Sequence, residues 1–156
     1  MTDDATFEQG GETPLNLVAL DPEDVKVVSS LVQDAVFPAT EMTWRSRERR
    51  FAVLINRFRW EYPDGPGHGP ERVRSLLVVD NVLRVASQGI DRHDADLVLS
   101  LLAIEHGTAE TGHENLELIL AGDGMIRLKV EAVEVTLKDV TRPYRAPSGK
   151  VPDHEA

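Results

Sequence analysis

The stretch Arg49-Arg50-Phe51-Ala52-Val53-Leu54-Ile55-Asn56-Arg57-Phe58-Arg59-Trp60-Glu61 decides the reading of this chain. It is the longest segment that reads as one buried strand, and it carries a polar insertion, Asn56-Arg57, inside an apolar run. Side chains alternate between the two faces of a strand. One face therefore carries Ala52, Leu54, Asn56, Phe58 and Trp60, and the other Phe51, Val53, Ile55, Arg57 and Arg59. Both faces are apolar over the first half, which predicts cover on both sides there. Over the second half one face turns cationic.

Upstream, Met42-Thr43-Trp44 reads as a strand that enters this one through the charged connection Arg45-Ser46-Arg47-Glu48-Arg49-Arg50. Before it, Asp21-Pro22-Glu23-Asp24 is a helix start. Asp21 suits the N-cap, Pro22 the first helical position, and the two acids the positive end of the dipole. Val25, Val28, Leu31, Val32 and Ala35 follow at helical spacing. The helix is expected to end near Ala35, because Pro38 disfavours helical geometry at Phe37. Leu15 to Leu20 reads as a short strand, and residues 1–14, acidic and aperiodic, as a disordered lead-in.

Downstream, Tyr62 to Pro70 is a Pro/Gly loop, expected to be exposed and mobile. Val73 to Val79 and Val82 to Ala86 flank Asp80-Asn81 and read as a hairpin, although Asp-Asn is a weaker turn signal than Asn-Gly. Leu97 to Ile104 reads as an interior strand, with a short helix as the alternative by periodicity. His106 to Asn115 reads as a polar loop. The clearest hairpin joins Leu116–Leu120 to Met125–Val130 around Ala121-Gly122-Asp123-Gly124. Val133, Val135 and Leu137 continue the pattern after a slip of phase, which predicts a bend or bulge. Residues 141–156 read as an extended tail. The sum is one helix and about eight strands in a single domain over 15–140. The fold class is α+β, predominantly antiparallel β, as a sheet, a sandwich or a partly closed barrel.

Bulk properties bound the function. The chain has 156 residues and a net charge of −10, which disfavours nucleic-acid and anionic-membrane partners. It has no cysteine, so disulfides, thiolate nucleophiles and cysteine metal sites are excluded. The acidic N-terminus lacks an apolar core of a secretory signal, and no run approaches the ~20 apolar residues of a membrane span. The cytoplasm is the expected compartment.

Several stretches together carry a resemblance. They are Val27 to Val36, Arg49–Phe51 with Asn56–Glu61, Val82 to Ile90 with Ser87-Gln88-Gly89-Ile90, and Val98 to Ile104. Over Leu15 to Val140 the chain resembles a family of small alphaproteobacterial proteins known only as a domain of unknown function. Genes of that family often lie near the one for histidinol dehydrogenase. The resemblance implies no activity and carries over no catalytic residue.

His68, His93, His106, His113 and His154 show no helical metal spacing. Glu105-His106 and His113-Glu114 could meet across a loop, but solvated loop residues are the preferred reading, with no metal and no cofactor expected. No serine lies in a nucleophile elbow. Gly122-Asp123-Gly124 and Ser148-Gly149-Lys150 fall short of a phosphate loop. Arg45, Arg47, Arg49, Arg50, Arg57 and Arg59 are six of the 17 Lys and Arg residues. With Trp44, Phe58 and Trp60 they could form a stacking, anion-binding patch, but carboxylate pairing is the preferred reading. Asp34, at the helix end, is the expected partner of Arg57, pinning the helix to the sheet. The candidate ligand-binding residues are Asp34, Asn56, Arg57, Arg59 and Trp60. The preferred function is a non-enzymatic interaction or accessory domain, acting on a protein partner or by self-association as a homodimer. The alternative is a small-molecule or anion-binding domain, with catalysis left open, at those five residues. Single-stranded nucleic-acid binding ranks third.

Overall fold

A computed structural model describes residues 13–62, 71–91, 93–109 and 111–145. The expected N-terminal lead-in, the Pro/Gly loop and the end of the C-terminal tail fall mostly outside the described residues. The fold is one helix and a mostly antiparallel sheet that does not close into a barrel.

The chain opens with β1 (Asn16–Ala19) and then α1 (Pro22–Val32). Asp21 caps the helix as expected, its carboxylate accepting the Asp24 N–H at 2.8 Å, and Val25, Val28 and Val32 are buried. The helix stops at Val32, three residues before the expected end. Gln33 adopts ψ 131° and Asp34 a left-handed φ of 65°, so Ala35 opens a strand rather than closing the helix. That strand is β2 (Ala35–Pro38), followed by a 3-10 turn over Ala39–Glu41 and β3 (Met42–Arg45).

The central strand is β4 (Arg50–Phe58). It pairs along its whole length with β5 (Glu71–Val79), from Phe51↔Val79 to Phe58↔Arg72. Its other edge is shared: β3 pairs with Arg50–Val53 and β2 with Asn56. Phe51, Val53, Ile55 and Arg57 face the core, while Ala52, Leu54 and Asn56 are half-buried. Full cover on both faces, expected for the first half, is thus corrected to full cover on one. The sheet curls over its inner face only.

Beyond β5 lie β6 (Val82–Gln88), β7 (Val98–Thr108), β8 (Glu114–Leu120), β9 (Met125–Val130), β10 (Val135–Asp139) and β11 (Tyr144–Arg145). The sheet order is β1-β10-β5-β4-β2-β7-β8-β9-β6, with β3 also on β4 and β11 also on β5. The roughly eight expected strands, β3 among them, become eleven among the described residues; β2 and β11 were not expected, because four and two residues are too short to show a period. The expected β5–β6 hairpin is corrected as well. Asn81, at φ 61°, turns the chain from one half of the sheet to the other, and β6 pairs with β9. The expected bend after Val130 is the matching return, from β9 to β10. The loop expected over His106–Asn115 is shorter, since β7 and β8 pair out to Thr108↔Glu114.

The two halves, β1-β10-β5-β4 and β7-β8-β9-β6, close on one hydrophobic core. It runs from Phe51, Leu77 and Val135 on one side to Leu101, Leu118 and Leu128 on the other, with α1 packed against β7, β1 and β4. The halves are continuous through β2. On the opposite side they part: among the described residues β3 pairs with β4 alone and β6 with β9 alone, so two strand edges border an open seam.

Candidate functional site

Arg57 sits in the last inward layer of β4 and has no exposed side-chain surface. A buried charge persists only if paired and hydrogen-bonded, and every N–H of this guanidinium is used. Nε donates to Ser75 Oγ at 3.0 Å and Asp139 Oδ1 at 3.3 Å. Nη2 reaches Asp139 Oδ1 and Oδ2 at 3.0 and 3.2 Å and Glu61 Oε2 at 2.7 Å. Nη1 donates to Glu61 Oε1 at 2.9 Å and to the Phe58 carbonyl at 3.4 Å. Ser75 donates to Asp139 Oδ1 at 2.7 Å, and Asp139 Oδ2 accepts the Leu15 N–H at 2.9 Å. The network ties β4, β5, β10 and the lead into β1. Burial works against the Arg57 charge, but the bonds and fields of Glu61 and Asp139 outweigh it and hold the guanidinium pKa above its ordinary value. Burial likewise opposes the Glu61 charge, and its bond to Arg57 wins, holding the carboxyl below its usual range.

The partner of Arg57 is thus corrected. Its carboxylates come from Asp139 and Glu61 instead of Asp34. Asp34 occupies the corner between α1 and β2, where its N–H donates to the Leu101 carbonyl at 2.8 Å. The helix is pinned by Trp60, whose Nε1 donates to the Gln33 carbonyl at 2.9 Å and whose ring meets Phe58 edge-on at 4.7 Å. Arg59 is buried, paired with Glu71 and stacked 4.8 Å over the Tyr62 ring. Its Nε has no hydrogen-bond partner among the described residues. Asn56 lies on the outer face, bonded through Nδ2 to the Tyr144 hydroxyl. The five sequence candidates therefore do not converge on one cavity: Arg57 and Arg59 point into carboxylates, Trp60 toward the helix, and Asn56 outward.

Three of the four arginines of the hairpin are paired at its surface. Arg45 meets Glu48 at 3.5 Å, Arg49 meets Glu131 at 3.4 Å and Arg50 meets Asp80 at 2.8 Å. His106 Nε2 lies 3.0 Å from Glu114. Among the described residues no three His, Asp or Glu side chains gather as metal ligands.

An apolar concavity lies elsewhere, in the seam. A cavity of about 440 Å³ opens between β3 and β6, with an apolar floor of Met42, Trp44, Phe51, Val85, Ile90 and Ile126. Thr40, Ser87, His93 and Asp94 add polar groups. Trp44 opposes Phe51 across the β3–β4 pair, which turns it to the core side, yet it stays 36% exposed. The seam is tied at both ends. The Val82 N–H donates to the Arg49 carbonyl and the Ala39 N–H to the Leu97 carbonyl, each at 2.9 Å. Size and lining are those of a binding pocket. No local sequence signal marked it, because it is built from β3, β4, β6 and β9 together.

Fold and site define an α+β domain with a curled antiparallel sheet and one open apolar seam. The chain belongs to the family described as Protein of unknown function (DUF2948), whose model matches residues 15–154. No curated protein and no solved structure matches it. Among the described residues no helix is long and apolar enough to cross a membrane.

Proposed function

We propose that the protein is a non-enzymatic accessory domain of the cytoplasm, and that it works by holding an apolar group of a partner in the seam between β3 and β6. The observation that carries this reading is the cavity itself: about 440 Å³, floored by Trp44, Phe51, Val85 and Ile126, where β3 and β6 end the sheet among the described residues. Exposed apolar concavities on a soluble surface mark binding sites. The resemblance to alphaproteobacterial proteins encoded near histidinol dehydrogenase fits an accessory role but names no partner.

The alternative, an anion or small-molecule site at Asp34, Asn56, Arg57, Arg59 and Trp60, is weakened by saturation. An incoming anion would have to displace Asp139 and Glu61 from Arg57 and Glu71 from Arg59. Pairing of the hairpin arginines weighs equally against single-stranded nucleic acid.

The test uses the neutral fluorophore N-phenyl-1-naphthylamine on a Trp60→Phe background, which leaves Trp44 as the only tryptophan. Saturable energy transfer from Trp44, abolished by Val85→Asp, is expected. Absence of saturable binding to the folded protein would overturn the reading.

A further inference from the structure

The seam has a direction, and the direction selects an occupant. β3 runs toward the arginine hairpin and ends at Arg45. β6 starts beside that hairpin, with Val82 bonded to the Arg49 carbonyl, and runs away from it toward Asp91–Asp96. The two edges that flank the cavity are therefore antiparallel to each other. One added strand can be antiparallel to only one of them. β6 offers seven residues and β3 four, and antiparallel pairing is the more stable kind. The edge of β6 beyond Val82, whose N–H already bonds to Arg49, is thus the template, about 20 Å long at the rise of an extended chain.

The ends of the seam differ in charge. At the hairpin end stand Arg45, Arg47, Arg49 and Arg50, with Arg84 on β6. Arg45, Arg49 and Arg50 already have carboxylate neighbours. The side chains of Arg47 and Arg84 are exposed and make no ion pair or side-chain hydrogen bond among the described residues. At the other end stand Asp91, Asp94 and Asp96, two of which accept local backbone N–H groups. Arg84 also explains why the edge stays open: a lone cation in an edge strand discourages pairing with another copy of the same strand. An acidic strand would meet attraction there instead.

We propose that the partner is an extended polypeptide segment that adds to β6 as an antiparallel strand. It seats one bulky apolar side chain on Trp44, Phe51 and Val85, and it carries acidic residues C-terminal to that anchor. This rests on the seam being the working site. Running antiparallel to β6 brings the segment's C-terminal end to the arginine hairpin, where acidic residues face Arg47 and Arg84. Its N-terminal end meets the aspartates. Alternate residues of a strand face opposite sides, so one anchor enters the cavity while its neighbours point to solvent. Main-chain bonds supply affinity and the anchor supplies selectivity, as in strand addition generally.

The experiment titrates the intact protein with the peptide acetyl-Lys-Thr-Val-Phe-Thr-Glu-Glu-amide and its charge-swapped counterpart, acetyl-Glu-Thr-Val-Phe-Thr-Lys-Lys-amide. Affinity is read by calorimetry and edge pairing by amide hydrogen exchange. The first peptide is expected to bind about five- to tenfold tighter, the product of two or three surface ion pairs. It should protect amides within Leu83–Ser87, and the combined change R47E and R84E should erase the preference. Trp44→Ala should weaken both peptides, and because Trp44 stands at the rim this variant guards against a misfolded Val85→Asp. Equal affinity for the two peptides, or binding without protection of β6, would overturn the proposal. If N-phenyl-1-naphthylamine binds at Trp44 and neither peptide does, the strand is wrong and the seam stands. A concentration-dependent dimer that protects β6 without peptide would make the occupant a second copy and likewise overturn it. If neither probe nor peptide binds, both readings fall.

Discussion

Replacing Arg57 by methionine removes the centre of the buried network while keeping most of the volume. Asp139 then stays in the core with a side chain 3% exposed, holding only Ser75 Oγ and the Leu15 N–H. Glu61 is 22% exposed and can turn partly to water. Breaking a buried pair from one side costs about 3–5 kcal/mol, because the charge left behind is uncompensated. The relief open to Glu61 places the expected loss at the lower part of that range. With a urea slope of about 1–3 kcal/mol/M for small proteins, the midpoint should fall by roughly 1–3 M. The assay is urea unfolding followed by circular dichroism at neutral pH, with the slope unchanged. Adding Asp139→Leu should recover part of the loss, since matched apolar replacement of a buried pair is often neutral. A loss below about 1 kcal/mol for Arg57→Met, on the scale of an exposed pair, would refute the reasoning.

Other consequences are as direct. The folded-state pKa of Glu61 is depressed. Its contribution is therefore present above the unfolded value of about 4.3, and it is lost as pH falls through the folded pKa. Urea midpoints between pH 7 and 3 should show Glu61→Gln less stable at neutral pH and flatter on the acid limb, and parallel curves would contradict this. Asn81, at φ 61°, should tolerate glycine, while Asn81→Val should cost about 1–2 kcal/mol in thermal or urea melts. Gly89→Ala would place a Cβ 2.9 Å from the Asp123 carbonyl at φ 71°, so a loss of at least about 1–2 kcal/mol is expected. A wild-type midpoint would show that the end of β6 and the β8–β9 turn adapt.

Local chemistry was legible in the sequence, and long-range pairing was not. Asp21-Pro22 announced the helix start because an N-cap is satisfied within three residues. Arg57 stood out as a charge inside an apolar run and is fully buried. Of its two partners, Asp139 lies 82 positions away with no local pattern linking them, while Glu61 is only four away but reaches Arg57 because the chain turns after Phe58, which strand alternation does not show. The helix end was missed because Asp34 takes a left-handed conformation that its residue type does not demand. Asp80-Asn81 looked like a hairpin turn, since a tight reversal and a corner between two half-sheets use the same residues. The seam was illegible for the same reason. Trp44 and Val85 read as ordinary strand residues until the order β9-β6 and the pair β3–β4 leave two edges bordering one cavity.

The most direct test of the seam as the working site is amide chemical-shift mapping of the isotope-labelled protein with N-phenyl-1-naphthylamine. The predicted result is a saturable set of shifts centred on Met42, Trp44, Phe51, Val85, Ile90 and Ile126. Shifts centred instead on Asn56–Glu61 and Asp139 would contradict the account and return the site to the arginine network.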